Sequence, residues 1–118
     1  MHEFSICKNL VDLLLAEVGK QPGDQVRVKT VRLIVGRYHQ IVPENLEFAF
    51  EVLVRDTPAA GALLAMTFTP IVTECLDCRR RGEITPPLYV CAQCGGGRLE
   101  IVSGKEMILE SMEIHEHE

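Results

Sequence analysis

Two Cys-x2-Cys pairs, Cys75 with Cys78 and Cys91 with Cys94, stand twelve residues apart in a stretch that has no other means of holding itself together. From Glu74 to about Lys105, Cys, Gly, Pro and Arg replace the periodic apolar residues found elsewhere, and no face long enough to fold by burial remains. Two tight turns can fold four thiolates into a tetrahedron. Zinc is the preferred occupant, because it is redox-inert, takes four sulfurs at no geometric cost, and replaces a missing core with metal-bond energy. Rubredoxin-type iron fits the same spacing, and a metal-free disulfide pair is the plainest alternative. With all four positions taken by protein, none is open for catalysis. Between Cys75 and Lys105, five cations (Arg79, Arg80, Arg81, Arg98, Lys105) face three acids (Asp77, Glu83, Glu100), an excess that offsets the net negative charge of four thiolates around a dication.

The chain has 118 residues, 47% hydrophobic and 25% charged, enough for one compact domain carrying a small appended module and too few for two full-sized domains. Twelve Lys and Arg against seventeen Asp and Glu leave a net charge of -5. That sign suits metal cations or basic protein surfaces better than nucleic acid. No apolar run reaches the roughly 18 residues of a membrane span, and Met1-His2-Glu3 lacks the basic start of a signal peptide, so a cytoplasmic protein without membrane contact is expected. A reducing compartment agrees with paired cysteines used as ligands.

Phe4, Cys7, Val11, Leu14 and Val18 step by three and four residues, predicting a helix over 4–19 that ends at Gly19 and the Gln21-Pro22-Gly23-Asp24 turn. Val26–Gly36 reads as a largely buried strand with a parity slip between Val28 and Val31 that suggests a bulge. Pro43-Glu44-Asn45 opens a second helix through Leu46, Ala49, Phe50 and Leu53. Leu64, Met66 and Phe68 alternate along a half-buried strand ending at Pro70, and Glu106–Ile114 forms another, with Ile108, Met112 and Ile114 on one side and Met107 and Leu109 on the other. The cysteine module therefore interrupts a sheet domain, with hinges expected near Thr73 and Ser103.

The amino terminus offers a second metal site. The amine of Met1, the peptide nitrogen of His2 and its imidazole can close two fused rings around a divalent ion, with Glu3 as a fourth donor; such nitrogen-rich, tetragonal coordination favours Ni(II) or Cu(II) over Zn(II). Alone, a His at position 2 reads as a solvated terminal residue. His39 reads as a loop residue that could come near this site, and His115 and His117 as a solvated tail. Cys7, on the apolar stripe, reads as a buried small hydrophobe.

Met1-His2-Glu3, the helix after it, the strand ending Ile34-Val35-Gly36, the Val42-Pro43-Glu44 segment leading to Phe48-Ala49-Phe50-Glu51, and the paired cysteine knuckles together resemble the HypA family of nickel metallochaperones for [NiFe]-hydrogenase maturation. The resemblance spans essentially the whole chain. It implies an α+β nickel-binding domain with a three-stranded sheet and two helices over 1–73 and 104–118, and a zinc domain over 74–103 inserted before the last strand. It further implies nickel carried by Met1, His2 and Glu3, zinc held by Cys75, Cys78, Cys91 and Cys94, and as partners a nickel-handling GTPase and the hydrogenase large subunit. A homodimer is left open. Unlike some relatives, this chain has no His directly beside either cysteine pair. No nucleophile–base pair or Gly-rich phosphate loop appears, so the chain reads as a non-enzyme. The rivals are a zinc-ribbon module gripping nucleic acid or protein through Arg79-Arg80-Arg81, and a rubredoxin-like electron carrier.

Overall fold

The computed structural model describes residues 2–22 and 26–116, without the side chains of His2 and Glu116. Helix α1 (His2–Gly19) presents one buried stripe to the interior: Glu3, Cys7, Val11, Leu14 and Val18. The stripe begins one residue earlier than expected. Phe4 is 46% exposed, whereas Glu3 is 5% exposed. An acid is tolerated there because its Oε2 accepts the Val42 N–H at 3.1 Å, so burial does not leave the carboxylate unsatisfied.

Val42 is the N-cap of helix α2 (Pro43–Leu53) and has no side-chain cap of its own. Pro43 at the first helical position lacks an N–H and is preset in φ, which starts the helix without a hydroxyl cap. Leu46, Ala49 and Phe50 form the buried face of α2. Cys7 Sγ lies 4.0 Å from the Leu46 carbonyl oxygen, and burial pushes its thiol up to about 11, so it behaves as the small hydrophobe expected.

Strand β1 (Val26–Gly36) is central in a three-stranded sheet ordered β2-β1-β6, with β2 spanning Leu63–Thr69 and β6 spanning Met107–Glu116. Its central place explains the near-continuous burial of Val26, Val28, Thr30, Val31, Leu33 and Val35, including the parity slip at Thr30–Val31. The two sides of β6 differ in burial: Ile108 and Ile114 are exposed, while Leu109 lines a small cavity with Cys7, Leu14 and Leu33 on the side that α1 covers.

A second sheet lies inside the cysteine-rich stretch, where no strands were expected. Strand β3 (Ile71–Cys75) pairs antiparallel with β4 (Arg81–Ile84) on one side and β5 (Leu99–Ser103) on the other. The chain thus has the α+β architecture expected, with two helices, a three-stranded sheet and a separate small sheet carrying the cysteines. By internal contacts it divides into two units. One takes in the chain up to Leu33, Ile41–Met66 and the chain from Leu109 onward; the other is Ile34–Gln40 with Thr67–Ile108.

Within the second unit three backbone segments cross closely. A side chain at Gly36 would meet the Gly104 oxygen at 2.0 Å, and one at Gly104, whose φ is +111°, would meet Ile71 Cα at 2.6 Å. Glu106 fixes the crossing: Oε1 accepts the amides of Gly104 (2.6 Å) and Lys105 (3.1 Å), and Oε2 accepts the Thr69 hydroxyl at 2.6 Å. The 3-10 turn Arg37–His39 docks on the same corner, with the Tyr38 N–H donating to the Gly104 oxygen and His39 Nε2 2.8 Å from the Lys105 oxygen.

Gly36→Ala is therefore expected to destabilise the protein by about 2–3 kcal/mol in urea unfolding, whereas Gly19→Ala, with nothing within 4 Å, is neutral or slightly stabilising. The Thr69 hydroxyl, followed by the Gly104 amide, holds the Glu106 carboxyl below its ordinary value. Its stabilisation is complete at neutral pH and is lost as pH falls from about 5 through the carboxylate range. Glu106→Gln should flatten that acid limb, as read by unfolding midpoints across pH.

Candidate metal centre

The two Cys-x2-Cys turns are built alike. In the first, the Arg79 N–H donates to the Cys75 oxygen and the Cys75 N–H to the Arg80 oxygen, both at 2.8 Å. In the second, the Gly95 N–H donates to the Cys91 oxygen at 2.9 Å and the Cys91 N–H to the Gly96 oxygen at 2.8 Å. Each turn needs a left-handed residue after its second cysteine. Gly95 supplies φ +74° freely, while Arg79 takes φ +65° at a cost of about 1–2 kcal/mol. Strand β3 carries Cys75 at its end, and the Leu76 N–H donates to the Arg98 oxygen, which holds the first turn against the segment leaving the second.

The four sulfurs lie within 4.8 Å of one another. Cys75 with Cys94, and Cys78 with Cys91, are each 3.6 Å apart. Sulfurs bound to zinc at about 2.3 Å on a tetrahedron would stand about 3.8 Å apart, so the cluster fits a four-thiolate metal centre with little movement. Chemistry points the same way. The amides of Cys94 and Gln93 draw the Cys91 thiol down to about 6, and those of Cys78 and Asp77 lower the Cys75 thiol. At Cys94 the Gly96 amide favours the thiolate, but crowding by Cys75 and burial outweigh it and push the thiol up to about 12. Cys78 is likewise raised: burial and the Cys91 and Cys75 sulfurs outweigh the Arg80 amide. A bound dication would favour the thiolate at all four sulfurs.

The arginine run is largely occupied with its own module. Glu74 receives Arg81 Nε at 3.1 Å and Arg79 Nη1 at 3.3 Å, and these two, Arg81 first, hold its carboxyl below the usual range. Arg98 pairs with Asp77 at 3.2 Å. Exposed pairs of this kind contribute little to stability, but they match two arginines of the Arg79-Arg80-Arg81 run with a carboxylate of the same module.

Of the expected amino-terminal ligands, Met1 lies outside the described residues. His2 opens α1, with its side chain outside the description. Glu3 is buried and engaged with Val42. The first four N–H groups of a helix have no partner in its ladder, so the peptide nitrogens at the start of α1 are not held by helix hydrogen bonds. His39 sits in the 3-10 turn with its ring on the Lys105 oxygen, in the same unit as the cysteines. His115 lies on β6, exposed, and His117 lies outside the described residues. The role of Glu3 as an anchor for Val42 was not read from the sequence; its three-and-four spacing to Cys7 and Val11 was the available signal.

Comparison with known proteins extends over nearly the whole chain. The family described as "Hydrogenase/urease nickel incorporation, metallochaperone, hypA" matches residues 1–114. A hydrogenase maturation factor HypA from Desulfatibacillum aliphaticivorans is 37% identical over 118 residues, covering 100% of this chain and 90% of that protein. One from Solidesulfovibrio magneticus is 38% identical, covering 97% and 99%. The solution structure of the nickel metallochaperone HypA from Helicobacter pylori shares the fold, with a TM-score of 0.64 at 23% identity over 98% of both chains.

The cysteine geometry makes a direct prediction. Cys78→Ser and Cys94→Ser should each lower the metal content of dialysed protein well below the about one equivalent per chain expected for an intact four-thiolate site, while Cys7→Ala leaves it unchanged, as measured by elemental analysis.

Proposed function

The chain belongs to the HypA family of hydrogenase/urease nickel-incorporation metallochaperones, and from that premise we propose that it binds Ni(II) at its amino terminus and delivers it to the [NiFe]-hydrogenase large subunit during maturation. The family's members are maturation factors and not enzymes. The observation that carries the reading is that the family match begins at residue 1, so Met1-His2-Glu3 falls inside it.

In this reading the Met1 amine and the His2 peptide nitrogen and imidazole hold the nickel in tetragonal geometry, with Glu3 as the fourth donor. The ion is cargo, so its ligands must exchange. A site on the first residues of a chain can hand ligands over one at a time to an incoming partner, which makes associative transfer the natural route. The Glu3 carboxylate also ties the start of α1 to Val42 at the start of α2.

Zinc would be the resident metal, held by Cys75, Cys78, Cys91 and Cys94, where it supplies charge neutralisation and a fixed tetrahedral brace. The reading divides the chain into a nickel-binding domain over 1–73 and 104–118 and an inserted zinc-binding domain over 74–103. Its partners are a nickel-handling GTPase and the hydrogenase large subunit, met in the cytoplasm. No helix among the described residues is long and apolar enough to cross a membrane.

Calorimetric titration with Ni(II) tests this reading. Zinc-loaded protein should show one saturable nickel site that is lost both in His2→Ala and in a variant extended by one residue before Met1, with zinc content unchanged in each. Nickel binding that survives either change would overturn the amino-terminal site.

A further inference from the structure

Strand β6 is an edge of the β2-β1-β6 sheet, ten residues long, and its outer side makes no backbone hydrogen bond among the described residues. An edge of that length offers a row of N–H and C=O groups to any extended chain. Beside it runs a groove of about 330 Å³ lined by Leu13 and Glu17 of α1 and by Leu109, Glu110, Ser111 and Met112 of β6. Leu13 is 59% exposed at its rim, an apolar side chain left in water on an otherwise ordinary helix surface. The groove and the edge from Leu109 onward lie within one unit of the fold.

Charge selects the occupant. From Glu106 to Glu118 there are five glutamates and no Lys or Arg. Glu113 is paired with Arg32 of β1 at 3.3 Å, and Glu17 with Lys20 at 3.1 Å, but Glu110 has no ion-pair partner among the described residues. A second copy of β6 laid against the first would bring acidic strands together with no cation to separate them, which disfavours self-pairing. An extended segment carrying Lys or Arg meets the opposite condition.

We propose that the outer edge of β6 docks an extended, basic segment of a protein partner as a fourth strand, with one aliphatic side chain seated in the groove beside Leu13 and a cation facing Glu110. Main-chain hydrogen bonds supply affinity in this mode, and the groove and carboxylate supply selectivity. The surface uses none of the four cysteines and none of the proposed nickel ligands.

The test uses metal-loaded, full-length protein and labelled peptides of alternating Lys with Val or Leu. Binding is read by fluorescence anisotropy and mapped by amide chemical shifts. The basic peptide should bind about tenfold tighter than its Glu-substituted counterpart. N-methylation at alternate residues should weaken it by about tenfold, because that modification removes strand hydrogen bonds and leaves charge intact. Glu110→Lys should reverse the preference between basic and acidic peptides, a gain that misfolding cannot produce. Shifts should fall on Leu109–Ile114, Leu13 and Glu17. Equal binding of the N-methylated peptide, shifts elsewhere, or no binding at about 1 mM peptide would overturn the proposal. So would self-association that responds to Glu110→Lys, which would assign the edge to a second copy instead.

Discussion

Four sulfur atoms within 4.8 Å cannot all carry charge unless a cation sits among them, and the small sheet exists around that requirement. The amides of each knuckle lower the thiols of Cys75 and Cys91, while burial and the neighbouring sulfurs raise those of Cys78 and Cys94. A bound dication would complete the cluster, and metal bonds would replace the apolar core that a segment rich in Gly, Pro and Arg cannot build. Strands β3, β4 and β5 are only four or five residues long, too short to hold a sheet by pairing alone.

Outside the cysteine module, packing and not coordination organises the chain. Leu14, Leu33 and Leu46 are almost fully buried, and Glu3 is admitted to the same stripe because the Val42 N–H satisfies it. The hydrogen bond from the Val42 N–H to Glu3 ties the first turn of α1 to the start of α2.

Electrostatics separates the tasks of the two regions. In the cysteine module Arg79 and Arg81 pair with Glu74 and Arg98 with Asp77, so part of its positive charge is matched locally. The acidic excess lies elsewhere, on α2 and along β6. That distribution fits a protein that meets cations and basic partner surfaces, and it gives the β6 edge a chemical preference that its backbone alone would not have.

The two helices, the buried run of β1, the strand after α2 and the four cysteine ligands were legible in sequence, because each rests on local periodicity or on ligand spacing. Tertiary structure decided what depends on residues far apart. It put Glu3 and not Phe4 on the buried stripe, because a distant amide at Val42 satisfies the acid. It turned Ile108 and Ile114 outward, because α1 covers the other side of β6. It formed strands β3, β4 and β5 where composition suggested only loops, because their pairing is nonlocal and their alternating residues are too few to register as a pattern. It required glycine at 36 and 104, because three segments cross there with no room for a side chain. Local chemistry writes itself into a sequence, whereas contacts between distant segments are settled only when the whole chain packs.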